Sequence, residues 1–160
     1  MAVEMKATGM EDISSLLEKM EAAAPGVASR ALYEGAGIMV EEINRGANNI
    51  KTAPFRYASG DNTRLPSPEE KDAILSVGAG IAKFDRNGTE VGTSVGYGNA
   101  GYAEIDGKNK PIPLIANAIN SGTSFMNKQP FFRQAANSGS RKAMQAMKDA
   151  VEKDFNAMTK

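Results

Sequence analysis

The sequence predicts an α+β fold in a single domain spanning residues 1–160. An N-terminal helical pair and a long C-terminal helix pack on a small antiparallel sheet that carries a β-hairpin and a long loop. Three observations predict this. Apolar residues recur at three- and four-residue steps near both ends of the chain, the mark of amphipathic helices. Glycine-rich, β-compatible sequence surrounds an Asn-Gly pair in the middle. A chain of 160 residues can bury one sizeable core without metals or disulfides.

Within Glu11–Ala23, Ile13, Leu16, Leu17 and Met20 form one stripe, with Glu18, Lys19 and Glu21 on the other side. Pro25 and Gly26 are expected to end this helix. A second begins at Val27, whose stripe continues through Ala31, Ile38, Met39 and Ile43 to about Gly46. Ala28, Ala31, Gly35, Ala36 and Gly37 leave parts of that helix nearly bare. Another backbone can approach there, in a tight intramolecular helix pair or a subunit contact.

Residues 51–66 have no clear period and are punctuated by Pro54, Gly60, Asp61, Asn62 and Pro66, which predicts a long loop. Its Phe55, Arg56, Tyr57 and Arg64 give it aromatic and basic groups to bind with, and mark it as a candidate assembly loop. Ser67-Pro68-Glu69-Glu70 supplies an N-cap, a proline for the first turn and a capping-box glutamate, so a short helix should run to about Leu75. A hairpin is expected within 78–98, with Gly80–Phe84 and Val91–Val95 flanking Asp85-Arg86-Asn87-Gly88. Pro113 opens two helical turns over Leu114–Ile119, ending before Gly122. The C-terminal helix covers 130–158, and its face of Ala143, Met144, Met147, Val151, Phe155 and Met158 reads as ordinary core.

The 19 basic and 19 acidic residues cancel, which argues against a domain built to bind nucleic acid or an anionic membrane. No stretch approaches the roughly 20 apolar residues of a membrane span. The N-terminus, with acidic Glu4, does not resemble a signal peptide, so a soluble protein made in a cytoplasm is expected. The absence of cysteine and histidine removes thiolate nucleophiles, imidazole bases and the usual zinc ligands. No catalytic, cofactor-binding or metal-binding residues are assigned. A magnesium site gathered from Asp61, Glu104 and Asp106 would be the carboxylate alternative. Glu41 and Glu42 read as lying away from their helix's apolar stripe, and Glu69 and Glu70 as parts of a helix start. Gly78-Ala79-Gly80 and Gly96-Tyr97-Gly98-Asn99-Ala100-Gly101 lack the spacing of phosphate loops and read as bends or bulges.

The most distinctive stretch is Ser121–Ala135. Phe125, Met126, Gln129, Pro130, Phe131, Phe132 and Arg133 bring more apolar surface than a solvent loop carries, together with the aromatic-plus-arginine composition of interface centres. The block fits either a loop folded onto its own core or a subunit interface.

In this stretch the chain resembles the tail-component proteins of long-tailed double-stranded DNA phages, known as tail-completion, neck or head-tail joining proteins. The resemblance rests on Ala53-Pro54, the Ser121-Gly122-Thr123-Ser124 turn, Gln129-Pro130-Phe131-Phe132-Arg133-Gln134-Ala135 and the helix ending near Met158. Where many of those proteins carry an Asp-Thr-Gly-x-Leu-Arg motif, this chain has Ser59-Gly60-Asp61-Asn62-Thr63-Arg64-Leu65.

The resemblance implies a non-enzymatic virion subunit, assembled in the bacterial host cytoplasm. It would form a homo-oligomeric ring, commonly sixfold, at the head-tail junction. Its neighbours would be head-completion or connector proteins and tail-tube or tail-terminator proteins. Contact with DNA in the channel would be weak and non-specific at most, and no membrane or cofactor is involved. A tail terminator capping the tube is the alternative placement, and a DNA-contacting module a more distant one.

Overall fold

The computed structural model describes residues 10–54, 64–87 and 90–160, except for the side chains of 10–14 and 16. Its order is α1 (Met10–Asn48), α2 (Pro68–Val77), β1 (Gly80–Ile81), β2 (Asp85–Asn87), β3 (Glu90–Gly92), β4 (Val95–Gly96), β5 (Tyr102–Ile105), β6 (Lys108–Pro111), α3 (Ile112–Ser121) and α4 (Phe131–Met158). The α+β class expected from the sequence holds.

The expected N-terminal helical pair is instead one continuous helix of 39 residues with Pro25 inside it. Proline has no N–H for the Glu21 carbonyl and crowds the preceding turn, at a cost of about 3 kcal/mol. Tertiary packing offsets this, because Met20 and Ala24 before the proline and Val27 and Ala28 after it line one groove against Val151, Phe155 and Met158 of α4. The Ser29 hydroxyl also donates to the Pro25 carbonyl at 2.8 Å. Pro25→Ala is therefore expected to raise stability by about 1–3 kcal/mol. A urea melt checks this, and an unchanged or lowered midpoint would mean the helix is not continuous in solution.

α4 runs antiparallel to α1, since Gly46 meets Phe131, Gly35 meets Met147, and Arg30 pairs with Asp154 at 2.7 Å. The bare stretch read from the sequence is used within the chain, and it faces α4. A Cβ at Gly35 would lie 2.6 Å from Met147 Cγ, and one at Gly139 would lie 2.9 Å from Glu42 Cγ. Glycine at these two positions lets the helices approach closely. The α4 face is less buried than its periodicity suggested. Ala143 is buried, but Met144, Val151 and Phe155 are 67%, 41% and 45% exposed.

The strands form three separate two-stranded antiparallel ladders, β1 with β4, β2 with β3, and β5 with β6. The first two lie within the expected hairpin, but Asp85, Arg86 and Asn87, expected in its turn, form β2 and pair with Glu90–Gly92. Ala82 N donates to Ser94 O at 2.8 Å, whereas Asp85 pairs with Gly92, so Lys83 and Phe84 together oppose Thr93 as a bulge. The third ladder is a second hairpin that sequence reading passed over. Asp106 and Gly107 both have positive φ (56° and 69°), the geometry of a two-residue hairpin turn.

The core sits where the C-terminal end of α1 and the N-terminal end of α4 meet α2, α3 and the ladders. Ile43 and Ala47 of α1 and Ile50 just beyond it pack there with Ile74 of α2, Ile105 of β5, Ile119 of α3 and Phe131 of α4. α2 starts as its sequence dictates, with Ser67 and Glu70 forming a reciprocal capping box.

Candidate functional site

The Ser121–Ala135 stretch joins α3 to α4, and its side chains divide sharply. Gln129 clasps the end of the α1 segment, its Oε1 accepting from Lys51 N at 2.8 Å and its Nε2 donating to Lys51 O at 2.9 Å. Its own backbone N–H donates to Ile119 O at 2.8 Å. Pro130 is the half-buried N-cap residue of α4. Phe131 is 2% exposed and stacks on Phe132 with ring centres 4.7 Å apart. Tyr97 meets both rings edge-on, at 6.4 Å and 5.9 Å. Met126 is also buried.

Of the seven residues proposed from sequence as an interface, Met126 and Phe131 thus belong to the chain's own core. Phe125 and Arg133 face solvent, Phe125 at 66% exposure. The physical reason is the short connection between α3 and α4, which turns every apolar group except Phe125 inward. Tyr97 Oη is buried and has no hydrogen-bond partner among the described residues, and burial pushes its ionisation up to about 12.

Phe55, Arg56 and Tyr57 of the candidate assembly loop lie outside the described residues. Arg64, at the loop's far end, is bound into the fold. Its Nη1 and Nη2 donate to the two carboxylate oxygens of Glu70 at 2.6 Å and 2.7 Å, a bidentate pair. Its backbone N–H donates to Phe125 O at 2.8 Å, and its carbonyl accepts from Asn127 N at 2.9 Å. Residue 64 therefore straps the Thr123–Met126 turn to the start of α2. Burial works to raise the Glu70 pKa, but hydrogen bonds from Arg64 and the Ser67 backbone outweigh it, and the carboxyl sits below its usual value of 4.5.

A cavity of about 540 Å³ beside this pair is lined by Arg64, Glu70, Asp106, Lys108 and Lys110, with both signs of charge present. Of the residues weighed as a magnesium site, Glu104 is exposed on β5, Asp106 occupies the hairpin turn and Asp61 lies outside the described residues. Gly78 caps α2 with φ 71°, and Gly101 has φ 75°, so both glycine patterns serve backbone turns.

Glu42, read from the sequence as lying away from its helix's apolar stripe, is buried between α1 and α4 at 5% exposure. Lys142 Nζ donates to its Oε1 at 3.1 Å, Ser138 Oγ to its Oε2 at 3.0 Å, and Arg45 Nη1 to its Oε1 at 2.8 Å. Hydrogen bonds from Lys142 and Ser138 lead in holding its carboxyl below the usual value of 4.5. The sequence signal that would have placed it is its three-residue offset from Met39 on the stripe facing α4.

Glu42 and Glu70 share one linkage sign. Each folded pKa is depressed, so their stabilisation is full above about pH 4.5 and is lost as pH falls through the lower folded values. The melting temperature should hold steady from about pH 7 to 5 and fall steeply below about pH 4.5. In the double variant E42Q/E70Q the acid slope should flatten. An equally steep slope there would place the acid sensitivity elsewhere.

Beyond these interior networks, the exposed Leu114 and Phe125 line one depression near the same block, and exposed Tyr102 stands on β5 opposite Pro111, which lines it too. Tyr102, Leu114 and Phe125 are 68%, 63% and 66% exposed. Leu114 and Phe125 line a shallow depression of about 300 Å³ with Lys110, Pro111, Ile115 and Ala118. Such a cluster is the usual mark of a contact surface.

The chain matches no family model, no curated protein and no solved structure.

Tyr102 carried no distinguishing signal in the sequence, because its exposure follows from the β5–β6 hairpin. The Asp106-Gly107 pair was the clue that could have found it. No helix among the described residues is long and apolar enough to cross a membrane.

Proposed function

We propose that this chain is a non-enzymatic structural subunit of a long-tailed phage, completing the tail or neck as an oligomeric ring at the head-tail junction. The observation that carries the reading is the Ser121–Ala135 block, which bears the family resemblance and borders the exposed Tyr102, Leu114 and Phe125 face. Contact with a neighbour falls to that face, because Phe131 and Met126 are used inside the chain. The ion-paired and capped groups around Glu70 and Glu42 act in folding, so the reading assigns the chain no catalytic residues. Adjoining connector and tail proteins would stack on the ring's two ends.

The test is particle assembly without the chain. Full heads and finished tails that accumulate unjoined in electron micrographs are expected. Normal yields of joined, infectious particles would overturn the reading.

A further inference from the structure

The sequence of α1 weakens the helix between Pro25 and Ser29. Pro25 leaves the Glu21 carbonyl without its helical N–H, and Gly26 follows at once. Packing does not ask for that glycine. A Cβ at Gly26 would meet only Arg30 Nη1, at an ordinary 3.8 Å, whereas at Gly35 and Gly139 the facing helix leaves no room. The Ser29 hydroxyl donates to the Pro25 carbonyl at 2.8 Å, a contact that loosens and bends helices.

The weak point falls where α4 runs out. Asp154 of α4 pairs with Arg30 of the antiparallel α1, and α4 ends at Met158, about one turn further on and close to Pro25. Among the described residues of α1 before Pro25, only Met20 and Ala24 line the groove shared with Val151, Phe155 and Met158.

Support from the rest of the fold begins beyond that point. No described side chain before Ala31 is buried, and Leu17 is 58% exposed. The side-chain hydrogen bonds and ion pairs that tie the described part of α1 to other elements start at Ser29 and Arg30, with Arg86 and Asp154 as partners. The buried core cluster starts further on still, at Ile43. A helix as short as Met10–Ala24 is marginal in water when it has little to pack on, since isolated helices need more than about 12–15 residues to hold.

We propose that the stretch of α1 before Pro25 is a separately opening arm, which unwinds and rewinds while the core stays folded. Pro25 and Gly26 fix where the unwinding stops. The device belongs to the single chain and stands whether or not the chain forms a ring.

Native-state hydrogen exchange of the full chain tests it. The amides of 17–24 should be less protected than those of 43–47 by on the order of a hundredfold, with a step at Pro25 instead of a smooth gradient. Ile74→Val, a mild loss in the buried core, should lower protection at 43–47 and leave 17–24 unchanged, because the arm opens without the core. Pro25→Ala should raise protection at 17–24 on the order of tenfold or more.

Equal protection on both sides of Pro25 would overturn the proposal, as would a fall at 17–24 that matches the core in Ile74→Val. A smooth gradient running past Pro25, or unchanged exchange at 17–24 in Pro25→Ala, would mean simple end fraying with no boundary at the proline, and the proposal would fall.

Discussion

Phe131→Ala is expected to destabilise the chain by about 3–5 kcal/mol, the usual cost of emptying a buried phenylalanine site. Phe131 is almost fully buried, stacked on Phe132, and met edge-on by Tyr97. Its backbone also lies under Gly46, where a Cβ would come within 3.3 Å of the Phe131 carbonyl oxygen, so the site has little freedom to collapse. With domain stabilities of roughly 5–15 kcal/mol, this variant would be near its unfolding threshold. Urea melts should show a large drop in midpoint for Phe131→Ala and a smaller one for Phe132→Ala, whose ring is only partly buried. An unchanged Phe131→Ala midpoint would show that the ring is not in the core. Any assembly defect in this variant would follow from lost folding, in contrast to Phe125, whose ring is outside.

Glu70→Ala should be the next most damaging change, at about 2–4 kcal/mol. It removes the carboxylate to which Arg64 donates twice and that also accepts from Ser67 N at 2.9 Å. The loss would loosen the start of α2 and the strap at residue 64 together. Hydrogen exchange should therefore speed up at the amides of Arg64 and Asn127 as well as in the first turn of α2. Glu70→Ala and Arg64→Ala should be strongly non-additive, since they share one interaction. Additive losses would mean that the bidentate pair contributes little in solution.

Much of the fold was legible from local chemistry. The Ser67–Glu70 cap, the Asn-Gly hairpin, the proline-initiated α3 and the long α4 are each specified within a few neighbouring residues, where propensity and capping decide. What was not legible depends on distant partners. Pro25 reads as a helix break until α4 is packed against both sides of it. Glu42 reads as lying off its helix's apolar stripe until Ser138 and Lys142, on α4, are placed beside it.

The Ser121–Ala135 block shows the same limit. Its composition fits a core and an interface equally, and only the fold divides Phe131 inside from Phe125 outside. Tyr102 and Leu114 join Phe125 because the β5–β6 hairpin leads directly into α3, a proximity that no spacing in the sequence encodes.

The ring reading meets its most direct test in the molar mass of the purified chain, followed by light scattering over a wide concentration series, with electron microscopy of the largest species. A closed ring of fixed subunit number, seen as an annulus, is the expected result. A chain that remains a monomer throughout, and stays unbound when mixed with separated heads and tails, would contradict it.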